Sequence, residues 1–346
     1  MQRPFAREIF ASPWLAIVML LVSSASAQYK ATQLVSNLAN VAPHQDSKLL
    51  NAWGIARGAT SPFWVSDQGS AFSTLYDSSG NPQGLQVAIP TVGTGFTGPS
   101  GIAFNGSPDF RVTKNGMTAP ALFIFSTVDG TISGWNFGVD LNNAVLVVDN
   151  SHSGAVYTGL AITTDGTNLL YAADNANNRV DVFNGSFKLI STLTDPTIPA
   201  GFAAYGVQQI NNQIYVSYAS TGDVANGFID IFSETGAFVK RFAQGSPLNQ
   251  PWGMALAPVK FGAFSTALLV GNNLPGGKIN AFNINTGKFL GTLKNSTGHA
   301  IEIDQLWGLE FGGGNAANGA VNQLFYTAGP SNYANGAFGV IDFVGK

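Results

Sequence analysis

Past its first 27 residues, the chain carries apolar residues in short runs broken by Gly, Asn, Asp, Ser and Pro, without a sustained 3.6-residue period. Such patterning predicts strand after strand. One phrase recurs six times: a Gly opens a short apolar stretch, a gap follows, and further apolar runs come after it. The Gly positions are Gly54 (WGIA), Gly101 (SGIAF), Gly159 (TGLAI), Gly206 (YGVQQI), Gly253 (WGMAL) and Gly308 (WGLEF), at intervals of 47, 58, 47, 47 and 55 residues. A near-fixed period of this size means one supersecondary unit copied around an array.

Within a repeat the strand signals keep one order. The first has Trp53 to Ala56, Phe63 to Val65, Ser73 to Tyr76 and Leu85 to Ile89, divided by turn residues such as Asp67 to Gly69 and Asp77 to Pro82. That is a four-stranded meander. The third has Leu160 to Thr163, Leu169 to Ala172, Val180 to Phe183 and Phe187 to Thr192, with Asp165-Gly166 and Asn184-Gly185 placed to supply the positive φ of hairpin turns. Asn211-Asn212 and Asn285-Thr286-Gly287 take such places in the fourth and fifth repeats.

After Gly308 only three strands remain, Leu309 to Phe311, Leu324 to Tyr326 and Val340 to Phe343, whereas the strand-like segment Tyr29 to Leu38 has no repeat of its own. We expect the early segment to become the outer strand of the last unit, joining the termini and leaving no sheet edge open. The expected fold is all-β: a six-bladed β-propeller of four-stranded antiparallel blades, with residues 28–346 as a single domain. The long second interval is the one place where a seventh blade could hide.

These repeats resemble NHL-type six-bladed propellers. The first blade, Asn51-Ala52-Trp53-Gly54-Ile55-Ala56, then Phe63-Trp64-Val65-Ser66-Asp67-Gln68-Gly69, then Ser73-Thr74-Leu75-Tyr76-Asp77, is similar to the opening of a family of exported bacterial proteins of uncharacterised function. The resemblance implies an extracytoplasmic propeller and brings no agreed chemistry.

The N-terminus agrees with export. Arg3 and Arg7 precede an apolar run from Trp14 to Val22 and then Ala25-Ser26-Ala27, the order of a signal peptide spanning residues 1–27. Cleavage would leave Gln28 first, place the protein in the periplasm or outside the cell, and leave no integral membrane segment. Charged residues are only 10% of the chain, against roughly 25% in an ordinary soluble domain. With 16 basic and 19 acidic residues and no basic cluster, nucleic acid is excluded as a partner. The lack of cysteine excludes thiol catalysis and thiolate metal sites.

Familiar catalytic motifs fail on context. Gly93-Thr94-Gly95-Phe96-Thr97-Gly98 fits G-x-G-x-x-G but leads into a strand instead of a helix. Gly271 to Lys278 is one residue too long for a phosphate loop, and Ile279 stands where Ser or Thr is needed. No G-x-S-x-G elbow or H-E-x-x-H motif occurs. The Gly opening each inner strand reads as packing, because six strands crowd one axis. The aromatics just before it, Trp53, Tyr205, Trp252 and Trp307, are expected to wedge between neighbouring blades. A stacking platform for a sugar is the alternative.

What remains is a ring of polar loops. In a propeller, the loops approaching the inner strands share a face with those joining second and third strands. The latter carry Asp67, Asp129, Asp174 with Asn175, and Asn272 with Asn273, the candidate ligand-binding set; the former carry His44 with Asp46, His152 and His299, the candidate metal set. Carboxylates and amides together suit Ca²⁺, and the three imidazoles a transition metal. Two functions compete: a binding or scaffold module for a protein or glycan, and a metal-assisted hydrolase or lactonase of the kind gluconolactonase-like propellers represent. The bland alternative is that Asp and Asn simply brace turns.

Overall fold

The computed structural model describes Met1 and residues 28–345 apart from Phe96, Asp165 and Asp223. Except for Met1, the expected leader over 1–27 lies outside the described residues. No helix among the described residues is long and apolar enough to cross a membrane.

Six antiparallel four-stranded sheets form the six blades of a propeller. From the axis outward, blade 1 is Ala52–Arg57, Phe63–Asp67, Phe72–Tyr76 and Val87–Ala88. Blade 3 is Tyr157–Thr163, Leu169–Asp174, Arg179–Asn184 and Leu189–Leu193, and blade 4 is Phe202–Ile210, Gln213–Ser220, Gly227–Ser233 and Phe238–Gln244. Blade 5 is Pro251–Leu256, Ala267–Asn272, Gly277–Asn283 and Phe289–Thr292. Blade 6 takes Leu306–Phe311, Gln323–Ala328 and Ala337–Phe343 from the end of the chain and Tyr29–Ser36 from its beginning, paired antiparallel from Tyr29↔Phe343 to Ser36↔Ala337. The expected closure is what the chain does.

The long second interval holds no seventh blade. Blade 2 is Pro99–Phe104, Phe123–Thr127, Thr131–Trp135 and Val145–Asp149, and a two-stranded hairpin, Arg111–Lys114 with Met117–Pro120, is inserted after its inner strand. One turn also differs from expectation. Gly185 does not supply the positive φ of its hairpin; Phe187 does, at φ 59°. Asn184 Oδ1 accepts the backbone N–H groups of Ser186 and Lys188, while the Phe187 ring meets Phe110 edge-on at 5.2 Å. Gly185 is small for another reason: a Cβ there would lie 2.6 Å from Asp109 Oδ2. Of the Asp165-Gly166 turn, Asp165 lies outside the described residues.

The repeated Gly sits at a register break between inner and second strand in all six blades. A bulge there turns the strand where it passes closest to the axis. The freed N–H is met from the second strand in three blades: Gly101 by Ser126 Oγ (3.2 Å), Gly206 by Ser217 Oγ (2.9 Å) and Gly308 by Thr327 Oγ1 (2.8 Å). Each Gly also abuts the next blade. A Cβ on Gly54 would lie 2.6 Å from Ser100 O, on Gly101 2.4 Å from Leu160 N, on Gly206 2.4 Å from Trp252 O and on Gly253 2.2 Å from Trp307 O, and one on Gly308 would meet Ile55 Cγ2 at 2.6 Å. The contacts run round the ring and return to blade 1.

Candidate functional site

The residue before each Gly decides how the channel ends. Ser100 and Thr158 are small, and each donates a hydroxyl hydrogen bond across to the next blade: Ser100 Oγ to Tyr157 O at 2.5 Å, Thr158 Oγ1 to Tyr205 O at 2.7 Å. The tryptophans do something else. They do not wedge between blades as expected; they meet over the axis, with Trp53 stacked on Trp307 at 3.7 Å and Trp252 edge-on to Trp307 at 5.4 Å. Trp252 Nε1 reaches across to donate to Thr158 O of blade 3 at 2.8 Å, and Trp307 Nε1 donates to Asn51 Oδ1 at 3.0 Å. All three are buried. They form a cap, because bulky rings from three blades fill the space that the two small residues leave.

Below the cap, the ring of glycines leaves a waist of about 30 Å³, room for about one water.

Most of the expected ligand-binding residues surround this cap, but their polar atoms are engaged. Asp129 Oδ2 accepts the N–H groups of Val92 (2.7 Å) and Gly93 (3.0 Å). Asp174 accepts from Val156 N, Asn177 N and Asn177 Nδ2, and Arg179 lies beside it. Asn175 Nδ2 donates to Ala204 O of the next blade at 2.9 Å. Asn272 is held between Pro247 O and Asn249 N, while Asn273 accepts from Tyr205 and Tyr333 hydroxyls and donates to Leu306 O. These side chains lace neighbouring loops and blades together.

Asp67 differs. It is fully buried where blade 1 packs on blade 6, and neither carboxyl oxygen meets a donor in good geometry. Burial raises its pKa well above the usual 3.8, with Thr74 offsetting only part and Asp46 adding to the rise. Because the folded value is the higher one, the group's contribution to stability is complete below the unfolded pKa and is lost as pH rises through the folded value. Asp67→Asn is therefore expected to raise the thermal unfolding midpoint at about pH 9 and to flatten its decline from about pH 5 upward. Parallel pH profiles for both proteins would refute this.

The candidate metal residues are not gathered. His44 pairs beside the outer strand of blade 6, His152 lies in a short turn between blades 2 and 3, and His299 lies between blades 5 and 6, where its Nδ1 meets Thr297 Oγ1 at 2.9 Å. Asp46 accepts the Tyr76 hydroxyl at 3.1 Å and the N–H of Lys48. Among the described residues no three His, Cys, Asp or Glu side chains come together as metal ligands would. Sharing one loop class put the histidines on one face, but at different blade junctions around it.

Sequence reading missed two sets of polar residues. Asp181 and Asp230, buried on the third strands of blades 3 and 4, pair with Arg179 (Nε to Oδ1, 2.7 Å) and Arg241, and the Arg241 guanidinium also reaches Asp195 at 2.6 Å. The second set lines the channel mouth opposite the cap. There Glu310 lies 3.5 Å from Arg57 Nε, and Gln208 and Gln209 face the same space of about 150 Å³. Burial pushes the Glu310 pKa up to about 7 against the pull of Arg57. The signal was present, since these residues follow the repeated Gly by two or three positions.

On the capped face, a cleft of about 590 Å³ lies beside the cap, bordered by Asn51, Gln68, Ser70, Thr97, Asn332 and Tyr333. No described residue lining it is charged.

No protein-family model matches the chain. Among solved structures, it superposes on a luciferin-regenerating enzyme (TM-score 0.55, 14% identity, 86% of this chain and 93% of that one) and on virginiamycin B lyase from Staphylococcus aureus with quinupristin (0.52, 13%, 92% and 100%). A chain of a nidogen/laminin complex also matches (0.50, 13%, 82% and 86%). Such neighbours include enzymes and a member of a protein complex; at these identities they show the fold alone. Curated relatives by sequence are viral proteins. Uncharacterized protein L690 of Acanthamoeba polyphaga mimivirus is 30% identical over 303 residues, 82% of this chain and 79% of the relative. Uncharacterized protein R648 of the same virus is 31% identical over 331 residues, 90% of this chain and 80% of the relative, and the chain belongs to its family.

Proposed function

We propose that this propeller is an exported binding module whose Trp-capped face holds a neutral glycan. One observation carries the reading. Ser331, Asn332 and Tyr333 are three successive non-glycine residues in the left-handed region, at φ 61°, 54° and 66°, a conformation that costs of order 1 kcal/mol or more per residue. The turn is closed by Tyr333 N–H to Gly329 O at 2.8 Å, and the Tyr333 hydroxyl is tied to Asn273 Oδ1 at 2.9 Å. The strained turn thus presents a fixed ring, 36% exposed, at the border of the uncharged cleft.

A rigid aromatic face beside the exposed Asn332 amide, on a floor where Asn51, Gln68 and Ser70 are already tied to protein partners, suits a polyhydroxylated ring, which offers an apolar face and many hydrogen-bonding groups but no charge. The low charge of the chain as a whole agrees. A metal-assisted hydrolase would need carboxylates free to converge on an ion, and Asp129 and Asp174 are committed to backbone amides.

A glycan array followed by calorimetry tests the proposal. Tyr333→Ala is expected to weaken the selected glycan at least tenfold, about 1.4 kcal/mol, while the protein keeps a cooperative unfolding transition well above the temperature of the binding assay. An array without signal above background, or affinity unchanged by Tyr333→Ala, removes the glycan reading; capture of a protein ligand on the same face in its place would favour the scaffold alternative.

A further inference from the structure

The channel mouth opposite the cap is a second concave site, independent of the glycan reading. It is blind, because the glycine waist closes its floor with only about 30 Å³ of space. Its wall is divided. Blades 2 and 3 contribute Phe104, Leu160 and Ile162, whereas blades 1, 4 and 6 contribute Arg57, Gln208 and Glu310.

The polar half is fixed in place. Arg57 Nε donates to Phe311 O at 2.7 Å and its terminal nitrogen to Gly312 O at 3.3 Å, so the guanidinium is anchored to blade 6 beside Glu310. Gln209 is held by Glu234 Oε1 at 3.2 Å. Gln208 is half-buried at the mouth, with its side chain at the border of this space. Above about pH 7, where Glu310 is ionised, Arg57 and Glu310 balance each other in charge, and the mouth then offers donors and acceptors without a net field.

We propose that this vestibule binds an uncharged small molecule of about one six-membered ring, with an apolar flank against Phe104, Leu160 and Ile162 and a hydroxyl or carbonyl head at Gln208 and Glu310. The size follows from the space of about 150 Å³, since a pocket of that order takes one such ring. The head group follows from the half-buried Gln208 amide: a ligand that displaces water from it must return a hydrogen bond, which a hydrocarbon could not do. The lack of charge follows from the Arg57–Glu310 pair: a ligand anion or cation would have to break a matched couple in a partly dry site.

Saturation-transfer NMR on the full chain at about pH 8, where Glu310 is ionised and both charged probes keep their charge, tests the assignment with cyclohexanol and benzamide as probes and benzoate and benzylamine as charged counterparts. The two uncharged probes are expected to give signals that compete with one another, and the charged pair to give none. Ile162→Trp, which fills the vestibule, should reduce the signals at least tenfold, with Gln208→Leu weakening benzamide at least threefold should the larger change disturb folding. Absence of signal from both uncharged probes, equal binding by the charged pair, or signals indifferent to both variants would overturn the proposal. Tyr333→Ala on the other face should leave these signals untouched, so the two sites stand or fall separately.

Discussion

Gly253→Ala is expected to cost about 3–5 kcal/mol of stability, far more than an exposed Gly to Ala change. The added Cβ would sit 2.2 Å from Trp307 O and 3.3 Å from Leu309 N, so the clash is mainly with the backbone of the next inner strand, which cannot swing aside as a side chain can. In an open sheet, the strand could retreat. Here it is the inner strand of blade 6, itself pressed on blade 1 through Gly308, and a closed ring of close-packed strands has no room for a retreat of the size this clash demands. The ring also supplies its own control. A Cβ on Gly159 would find its nearest neighbour, Val207 N, at 3.1 Å, a contact relieved by a shift of a few tenths of an ångström. Gly159→Ala should therefore cost about 1 kcal/mol or less. Urea unfolding of both proteins decides the matter, and equal losses would mean that the glycines are repeated for some reason other than approach to the next blade.

Much of the architecture was legible because it is periodic. Six Gly phrases marked six inner strands, and the unpaired strand at Tyr29 to Leu38 forecast the closure at Tyr29↔Phe343. The failures lie where a residue answers to something distant in sequence. Gly185 looked like a turn residue, but its smallness serves Asp109, and Phe187 takes the positive φ while its ring packs on Phe110, both partners lying just before the hairpin inserted in blade 2. That insertion escaped notice because residues such as Arg111, Thr113, Met117 and Thr118 are exposed and carry no core pattern.

The candidate site followed the same logic. Loop class follows from strand order, which is why the polar loops could be grouped from the sequence alone. What their side chains do depends on the blade next door: Asn175 is spent on Ala204 O and Asn273 on Leu306 O, partners 29 and 33 residues away. Arg57, Gln208 and Glu310 were overlooked for a different reason. They stand on inner strands, read as packing elements, although polar side chains at the axial end of such strands have only the channel to face.

Removing residues 28–37 is expected to be at least as damaging as any glycine change, because it takes away the strand that closes the ring. Tyr29 is 1% exposed, its ring packs on Phe261 at 4.9 Å, and its hydroxyl donates to Phe261 O at 2.8 Å. Val35 is fully buried in the core shared with blade 1. Without this strand, Ala337–Phe343 becomes a bare edge whose N–H and C=O groups have no partner, and the cores of blade 6 and its neighbours open to water. A chain beginning at Leu38 should lose its cooperative unfolding transition or show a midpoint lowered by on the order of 10 °C or more. Loss of residues from the terminus and loss of a closing strand are separable. A synthetic peptide of residues 28–38 added in trans should pair with the bare edge as the native strand does and restore the transition in a concentration-dependent way. A shortened chain that unfolds like the parent would show that the ring closes on inner-strand packing alone, with Gly308 against Ile55 and Trp53 as the join and the first strand only a cover.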